Sequence, residues 1–489
     1  MAGSPPADPP SASRRLIAYN VVAQVLGRLV GLLLSVLTLR LLTGYLGPRS
    51  YGELTSALAF VALFVVLADG GLGTIAAREM ARDAGGAERL LARTLVLRAL
   101  VSLCLVPISL GLGLWIFQGE GRISEGVAFL SCLIVLTTVQ SALAVVFAAR
   151  VRNDVTAGID VAIKGVTLAG IGVVAAAHGG FRDVLLVYIV SSVVGLALAW
   201  LFAQRQVRAR PSLGLGPWKP LVLLALPLGL VQLLNTLYYR LDTVMLSVLR
   251  PLSEVGYYGV AYRVIDIVVS VPSILLVALM PSLATADAAR LQAMSQKALD
   301  VMIAMAVPVL VGGILLRRQI IAAVSSDAFR PAATPFLILL VGAAASFPNA
   351  VYGNVLVAID RQSVLVRLTV VVLCVNLALN VLLIPLLGAS GAAMATTACE
   401  LTSAGYVMWL HRRETGGGLG YGQTVKSSLA AAAMLVAYLM LRNAYPLHTR
   451  SLVATVSATS ILAAVYVAAL VALRGVPVID VRSAIWRRA

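Results

Sequence analysis

The sequence predicts an all-α integral membrane protein that crosses the bilayer many times. Hydrophobic residues make up 60% of the 489 positions and charged residues only 12%, whereas a globular domain carries about 25% charged residues. The apolar runs are long and continuous, whereas the strands of a membrane barrel give alternating segments of about ten residues. These observations exclude an ordinary soluble enzyme and a membrane β-barrel.

Fourteen apolar runs approach the roughly 20 residues that a membrane-spanning helix needs. The first run has no small-residue cleavage site, so we expect a retained span rather than a signal peptide. The predicted spans lie near residues 17–42, 51–77, 94–117, 124–149, 157–177, 183–203, 219–248, 255–283, 298–316, 333–359, 363–387, 390–410, 424–442 and 451–473.

Short similarities about 210 residues apart suggest two related halves. FAARVRNDV at 147–155 resembles VAIDRQSVL at 357–365, and RSYGELTSA at 49–57 resembles VGYYGVAYR at 255–263. A shift of six spans preserves orientation, so the halves would be parallel repeats that hold a site near the middle of the membrane. The expected domains are a disordered cytoplasmic tail at 1–15, six-helix bundles at 16–210 and 211–415, and two additional helices with a cytoplasmic tail at 416–489.

Basic residues are distributed unevenly between the two sides of the predicted helices. With the N-terminus inside, 24 of the 38 lysines and arginines lie at inner ends, nine at outer ends and five within spans. The positive-inside rule then puts both termini of this multi-pass protein in the cytoplasm. We expect the protein in the inner (plasma) membrane. This bias explains most of the net charge of +17 without a nucleic-acid partner.

No pattern typical of catalysis, a cofactor or a metal site is present in the sequence. The four cysteines lie in apolar runs, where free cysteine behaves as a small hydrophobe, and the three histidines fall at turns. The glycine-rich segment at 411–423 lacks the Gly-Lys-Ser/Thr ending of a phosphate-binding loop. We therefore predict a protein that is not an enzyme and has no cofactor and no metal.

The first span carries a polar stripe. Asn20, Gln24 and Arg28 follow one another at four-residue steps, which places them on one helix face. An arginine at the centre of a spanning helix costs about 2.5–3.5 kcal/mol on the insertion scale, so such residues usually face a polar cavity. The alternative for Asn20 and Gln24 is hydrogen bonding between packed helices.

The seventh span, the repeat counterpart of the first, is also polar on one face. Gln232, Asn235, Tyr239 and Asp242 lie on neighbouring turns of that face. Arg240 is two residues from Asp242 and points away from it, so it needs another partner or an anion. The alternative for Arg240 is that its side chain extends to the lipid–water interface on the outer side of the bilayer.

The eighth span places Tyr258, Tyr262 and Asp266 at four-residue steps, with Arg263 three residues before Asp266. Arg263 could face a cavity, or it could be neutralised locally by Asp266. Glu400 in span 12 is the other deep acid of the second half.

Four further charged residues have simpler interpretations. Arg98 lies near a span end, from which its side chain can reach the membrane surface, and Asp69 lies where interfacial hydration is expected. Asp160 and Lys164 form an i, i+4 pair that we expect at a cytoplasmic helix end.

Three segments carry a family resemblance: LGPRSYG at 46–52, VGYYGVAYR at 255–263 and IPLLGASGAAMAT at 384–396. They are similar, in position and in order, to segments of the polysaccharide (O-antigen) flippases of the Wzx type. Those flippases share a superfamily with the MATE drug exporters and the lipid II flippase MurJ. The resemblance covers nearly the whole chain.

The resemblance implies twelve core helices in two bundles, additional helices at the end, and a central cavity lined by spans 1, 2, 7 and 8. It also implies a polyprenyl-pyrophosphate-linked oligosaccharide substrate that moves from the cytoplasmic to the outer leaflet by alternating access. Implied partners are this glycan, membrane lipids, and a polysaccharide polymerase or glycosyltransferase.

A guanidinium binds phosphate bidentately, so the arginines of spans 1, 7 and 8 are the candidate pyrophosphate ligands. The candidate substrate-binding residues are Arg28, Asn20, Gln24, Arg240, Asn235, Tyr239, Tyr258, Tyr262 and Arg263. The candidate ion-coupling residues are Asp266, Asp242 and Glu400. The alternatives are a MATE-type cation-coupled multidrug antiporter, a lipid II flippase and a non-transporting membrane scaffold.

Overall fold

All regular structure in the described part of the chain is helical. The computed structural model describes residues 11–82, 86–150, 152–207, 218–284, 287–415, 420, 422–444 and 452–475. The all-α membrane fold that the sequence predicts is confirmed. Residues 1–10 of the predicted N-terminal tail, and the C-terminal tail after residue 475, lie outside the described residues, whereas residues 11–15 are helical.

The helices, in chain order, are α1 Ser11–Asp69, α2 Leu72–Arg82, α3 Ala87–Ile116, α4 Gly121–Leu130, α5 Cys132–Ala149, α6 Asn153–Ala176, α7 Phe181–Gln204, α8 Trp218–Leu249, α9 Leu252–Ala284, α10 Ala288–Val324, α11 Ala333–Ala358, α12 Gln362–Leu387, α13 Ala389–Thr415, α14 Gly422–Ala444 and α15 Leu452–Ala472. A short 3-10 helix, Asp327–Ala332, precedes α11.

Eleven helical segments in the described residues are long and apolar enough to cross a membrane. The first of them, Gln24–Met80, covers two of the predicted spans. The spans predicted at 255–283 and 390–410 are helical as α9 and α13 but are not among the eleven. Each predicted span therefore lies on helical structure, although 51–77 is divided between α1 and α2 and 124–149 between α4 and α5. The count of fourteen membrane crossings stays a prediction.

Glycines set the bend and the end of α1. Gly47 has a φ of 70° and interrupts the helix directly before Pro48. Gly70 and Gly71 have φ values of 52° and 76° and separate α1 from α2. Positive φ is accessible to glycine and strained for other residues, so these positions allow the chain to change direction between apolar helices.

The chain divides into two compact units. Unit 1 comprises Met1–Tyr45 and Ser56–Arg240, and unit 2 comprises Leu46–Thr55 and Leu241–Ala489. In unit 1 a buried cluster joins α2, α3, α5, α6 and α7 around residues such as Leu143 and Phe147. In unit 2 one cluster joins α10, α11 and α13, and another packs α14 and α15 against α10. The domain boundaries expected from the sequence stay a prediction.

Candidate functional site

In unit 1, Arg28 lies beside a close contact between α1 and α6. A Cβ added at Gly27 would lie 2.9 Å from the Cβ of Ala157, and one added at Gly31 would lie 3.0 Å from the Nζ of Lys164. The two glycines therefore let α6 approach this face of α1. Arg28, between them in sequence, is exposed, and it forms no ion pair with any residue that the structure describes. Arg28 thus offers a charged group to a ligand.

Lys164 of α6 adds a second cation next to α1. Its Nζ lies 2.7 Å from the carboxylate of Asp160, and the two side chains are 31% and 53% exposed. Lys164 is eleven residues after Asn153, the start of α6, or about 16 Å along the helix. The pair is therefore deeper in its helix than the cytoplasmic end that we predict from the sequence.

Asn20 and Gln24 are the two amides of the stripe that the sequence predicts on α1. Gln24 is half-buried. Asn20 lies on α1, but the structure does not describe the position of its side chain. The role of both amides in binding stays a prediction.

Arg98 and Asp69 form a buried ion pair in unit 1, and the expectation of a surface-reaching arginine is wrong. Arg98 is fully buried, and its guanidinium donates to Asp69 at 2.5 Å and to the Ser141 hydroxyl at 3.0 Å. A Cβ at Gly73 would lie 2.7 Å from the guanidinium. This pair connects the end of α1 with α3 and α5, so its role is to hold these helices together.

The polar residues of α8 have different environments. Asn235 and Tyr239 are exposed, Gln232 is half-buried, and Tyr239 packs edge-on against Tyr238 at 5.1 Å. Arg240 is half-buried and forms no ion pair within the described ranges. Its interpretation as an anion ligand stays a prediction.

In unit 2, Asp242 is the centre of a buried polar cluster. It is fully buried and accepts hydrogen bonds from the hydroxyl of Tyr258, from the hydroxyl of Thr396 at 3.1 Å and from the backbone N–H of Thr243 at 2.8 Å. Tyr258 packs in turn against Tyr262 at 5.5 Å. Three helices, α8, α9 and α13, therefore converge on one carboxylate.

Two asparagines of α12 extend the polar character of this region. Asn376 and Asn380 are fully buried, and the Nδ2 of Asn380 donates to the Oδ1 of Asn376 at 2.9 Å. Asn376 interacts with Cys399, which lies one turn after Thr396 on α13. The Oδ1 of Asn380 has no hydrogen-bond partner in the described part of the chain. A buried acceptor without a partner costs about 1–3 kcal/mol, so this oxygen is a candidate ligand atom.

Our sequence prediction included Asp242 and Tyr258 but missed Thr396, Asn376 and Asn380. The signal for the asparagines is the NLALN spacing, which places two amides four residues apart inside an apolar helix. Thr396 gives no comparable signal, because a single threonine in an alanine-rich helix is common.

Arg263 and Asp266 lie one turn apart on α9, and the structure does not show the local ion pair that was the alternative to a cavity-facing Arg263. Arg263 is exposed and Asp266 is half-buried. Tyr51, from the second part of α1, lies within electrostatic range of both. In the described residues Arg263 has no acid partner within ion-pair distance. Arg263 therefore remains available to an anion.

Glu400, the third candidate acid, lies on α13 beside α11. It is half-buried, and a Cβ added at Gly342 would lie 3.5 Å from its Cβ. Its role in ion coupling stays a prediction.

The second part of α1 packs closely on the start of α9. A Cβ at Gly52 would overlap the carbonyl oxygen of Leu252, and one at Gly256 would overlap that of Pro48. This backbone contact follows the bend at Gly47 directly. The close approach of the two backbones therefore requires glycine at both positions, Gly52 and Gly256.

Comparisons with known proteins agree with this architecture. The family model described as "Polysaccharide biosynthesis protein" matches residues 17–287, more than half of the chain. The MatE family model matches residues 227–382. No curated protein matches the chain.

Several solved structures share the fold. A lipid II flippase MurJ in an inward closed conformation aligns with a TM-score of 0.75 at 14% identity, covering 93% of this chain and 100% of that one. An inward-facing multidrug resistance MATE family transporter of the MOP superfamily aligns with a TM-score of 0.69 at 14% identity, covering 81% and 98%. A MOP superfamily transporter from Pyrococcus furiosus, whose binding pocket is described as having reverse polarity, aligns with a TM-score of 0.60 at 16% identity, covering 82% and 95%.

Proposed function

We propose that this chain, which belongs to the polysaccharide biosynthesis protein family, is a flippase for polyprenyl-pyrophosphate-linked oligosaccharides. The chain is a multi-pass membrane protein whose fold is that of the MOP-superfamily flippases and transporters. The substrate would move from the cytoplasmic to the outer leaflet of the inner membrane.

The observation that carries this proposal is the presence of cations without acid partners on the predicted cavity helices. Arg28 on α1 and Arg263 on α9 are exposed and form no ion pair within the described ranges. Lys164 beside α1 is already paired with Asp160, so it does not count among these cations. A pyrophosphate carries several negative charges, and a guanidinium binds phosphate oxygens bidentately. An exporter of cationic drugs needs acidic side chains, rather than basic ones, where it binds its substrate.

The proposed mechanism is alternating access. In the inward-open state Arg28 or Arg263 binds the pyrophosphate, while the polyprenyl chain stays in the bilayer. Binding neutralises the arginine, which lowers the free-energy cost of removing water from its guanidinium when the protein closes. Moving a net charge through the membrane is worth about 2.3 kcal/mol per 100 mV, so an inside-negative potential favours outward movement of an anion that is not fully compensated.

If the arginines compensate the substrate charge fully, transport needs another energy source. Asp242 is the strongest of the three candidate coupling acids, because it is fully buried and has hydroxyl groups around it. Carboxylate, hydroxyl and amide oxygens are ligands that suit hard cations, and a carboxylate can also take a proton. We propose that Asp242 carries the coupling ion.

Translocation in reconstituted vesicles tests the proposed function. A lipid-linked oligosaccharide would be incorporated with wild-type protein, Arg28→Ala or Arg263→Ala at equal protein levels. We expect both variants to lose most of the activity. Arg182→Ala is the control, because Arg182 is 73% exposed and already paired with Glu125. Full activity of both cavity variants would contradict the proposal.

A cation-coupled multidrug antiporter is the second candidate function, favoured by the MatE match and by the buried Asp242. Drug efflux measured in the same vesicles separates the two functions. Efflux that depends on Asp242 but not on Arg28 or Arg263, without glycolipid translocation, would establish the antiporter.

A further inference from the structure

An apolar groove lies between α12 and α13 of unit 2. It encloses a cavity of about 410 Å³. Its walls include Val364, Leu368, Val371 and Val375 of α12 and Tyr406 and Trp409 of α13. Val371 is 58% exposed and Trp409 is 51% exposed, so the groove is open along its side.

Positive charge is concentrated at one end of this groove. Arg367 and Arg413 both line it, near the beginning of α12 and the end of α13. The guanidinium of Arg413 lies 5.6 Å from the ring centre of Trp409. Glu414, an acid near this end, is already paired with Arg361 at 2.9 Å, and Asp360, which precedes α12, does not line the groove. Arg367 has no acid partner in the described part of the chain, so the groove has a cationic mouth.

The length of the groove matches one leaflet. From Val364 to Val375 is eleven residues, or about 16 Å along a helix. One leaflet contributes half of the hydrocarbon core, which is about 30 Å thick in total, so the groove and the leaflet have similar lengths. The mouth also carries Trp409 and Tyr406, which pack at 5.7 Å, and tryptophan and tyrosine are enriched at the level of lipid head groups. By the positive-inside rule this is the cytoplasmic leaflet.

We propose that this groove is a binding site for an anionic phospholipid of the bilayer. One acyl chain lies along the valines of α12, and the phosphate accepts hydrogen bonds from Arg367 and Arg413. Basic pockets between membrane helices recognise anionic head groups in this way. The occupant is a membrane phospholipid rather than the transported glycolipid, because the groove opens sideways to the bilayer and its length fits a single leaflet's chain.

Lipid binding is measured by native mass spectrometry of the purified full-length protein with phosphatidylglycerol or phosphatidylcholine. The double variant Arg367→Gln/Arg413→Gln should bind phosphatidylglycerol about tenfold more weakly than wild type. Arg205→Gln is the matched control, because Arg205 also lies over an aromatic ring, Phe202, at 5.6 Å but does not line the groove. It should bind phosphatidylglycerol like wild type.

A second variant tests the apolar part of the site. Val371→Trp fills the groove and should weaken phosphatidylglycerol binding by a similar factor. Val381→Trp is its control, because Val381 is also on α12 and also 58% exposed but does not line the groove. Both positions are exposed, so neither change disturbs the core.

Three results would overturn the site. The first is unchanged phosphatidylglycerol binding in both the arginine and the Val371→Trp variants. The second is equal binding of phosphatidylcholine, since the arginines would then not select a net negative head group. The third is displacement of phosphatidylglycerol by an equimolar polyprenyl pyrophosphate, which would assign the groove to the transported lipid.

Discussion

Replacing Asp242 with asparagine removes the charge from the buried cluster while keeping the shape of the side chain. Asparagine can still accept a hydrogen bond from Tyr258 or Thr396, the two hydroxyl groups that contact Asp242. We therefore expect the variant to fold and to reach wild-type levels. Any change in transport then reports the charge itself.

The size of the effect follows from the burial of Asp242, which is complete. Two unit charges about 4 Å apart attract by about 4 kcal/mol at an effective dielectric constant of about 20. Since about 1.4 kcal/mol is a factor of ten, the affinity for a coupling cation should fall about 1,000-fold. Thr396→Val removes one hydroxyl ligand and should weaken affinity only about fivefold, because a neutral hydrogen bond contributes about 1 kcal/mol.

The assay compares glycolipid translocation in vesicles with an imposed sodium gradient, an imposed proton gradient or neither. Wild-type protein should respond to one of the gradients, Thr396→Val should need more of that ion, and Asp242→Asn should not respond. A wild-type ion dependence in Asp242→Asn would refute the assignment of the coupling ion to this carboxylate.

Two further predictions concern the structural contacts. Arg98→Met should lower the stability of unit 1 by about 1.5–3 kcal/mol, because the Asp69 carboxylate, which is 24% exposed, loses its charged hydrogen-bond donor, and adding Asp69→Leu should restore most of the loss. Thermal unfolding in detergent measures both, and equal stability of Arg98→Met and wild type would contradict the pairing. Gly256→Leu should destabilise unit 2 by at least about 1–3 kcal/mol through overlap with Pro48. Gly353→Leu, where an added Cβ meets no atom within 4 Å, should not destabilise unit 2. An equal loss of stability in the two variants would show that the contact between Gly256 and Pro48 is not tight.

The fold could be predicted because each apolar run is long enough to determine its own helix. The bend of α1 falls where the sequence predicts a break. The sequence separates spans at 17–42 and 51–77, and the structure has its non-helical residue, Gly47, between them. A glycine followed by a proline between two apolar segments is a signal that a sequence can show.

The candidate site could be predicted only helix by helix. Periodicity places Asp242 on a face of α8, but its partners Tyr258 and Thr396 are 16 and 154 residues away in sequence. Arg98 was misinterpreted for the same reason, since its partner Asp69 is 29 residues away on another helix. Which faces meet is decided by packing between helices, and a single sequence does not encode that in its spacing.

The most direct test of the central claim is the affinity of the purified protein for polyprenyl pyrophosphate relative to uncharged polyprenol. The pyrophosphate lipid should bind more tightly to wild type, and Arg28→Ala and Arg263→Ala should each reduce that preference by about tenfold. Arg28→Lys should lose nearly as much, because an ammonium cannot bind two phosphate oxygens in the fork geometry. Equal affinity for the two lipids, or a preference that survives both alanine substitutions, would contradict the account.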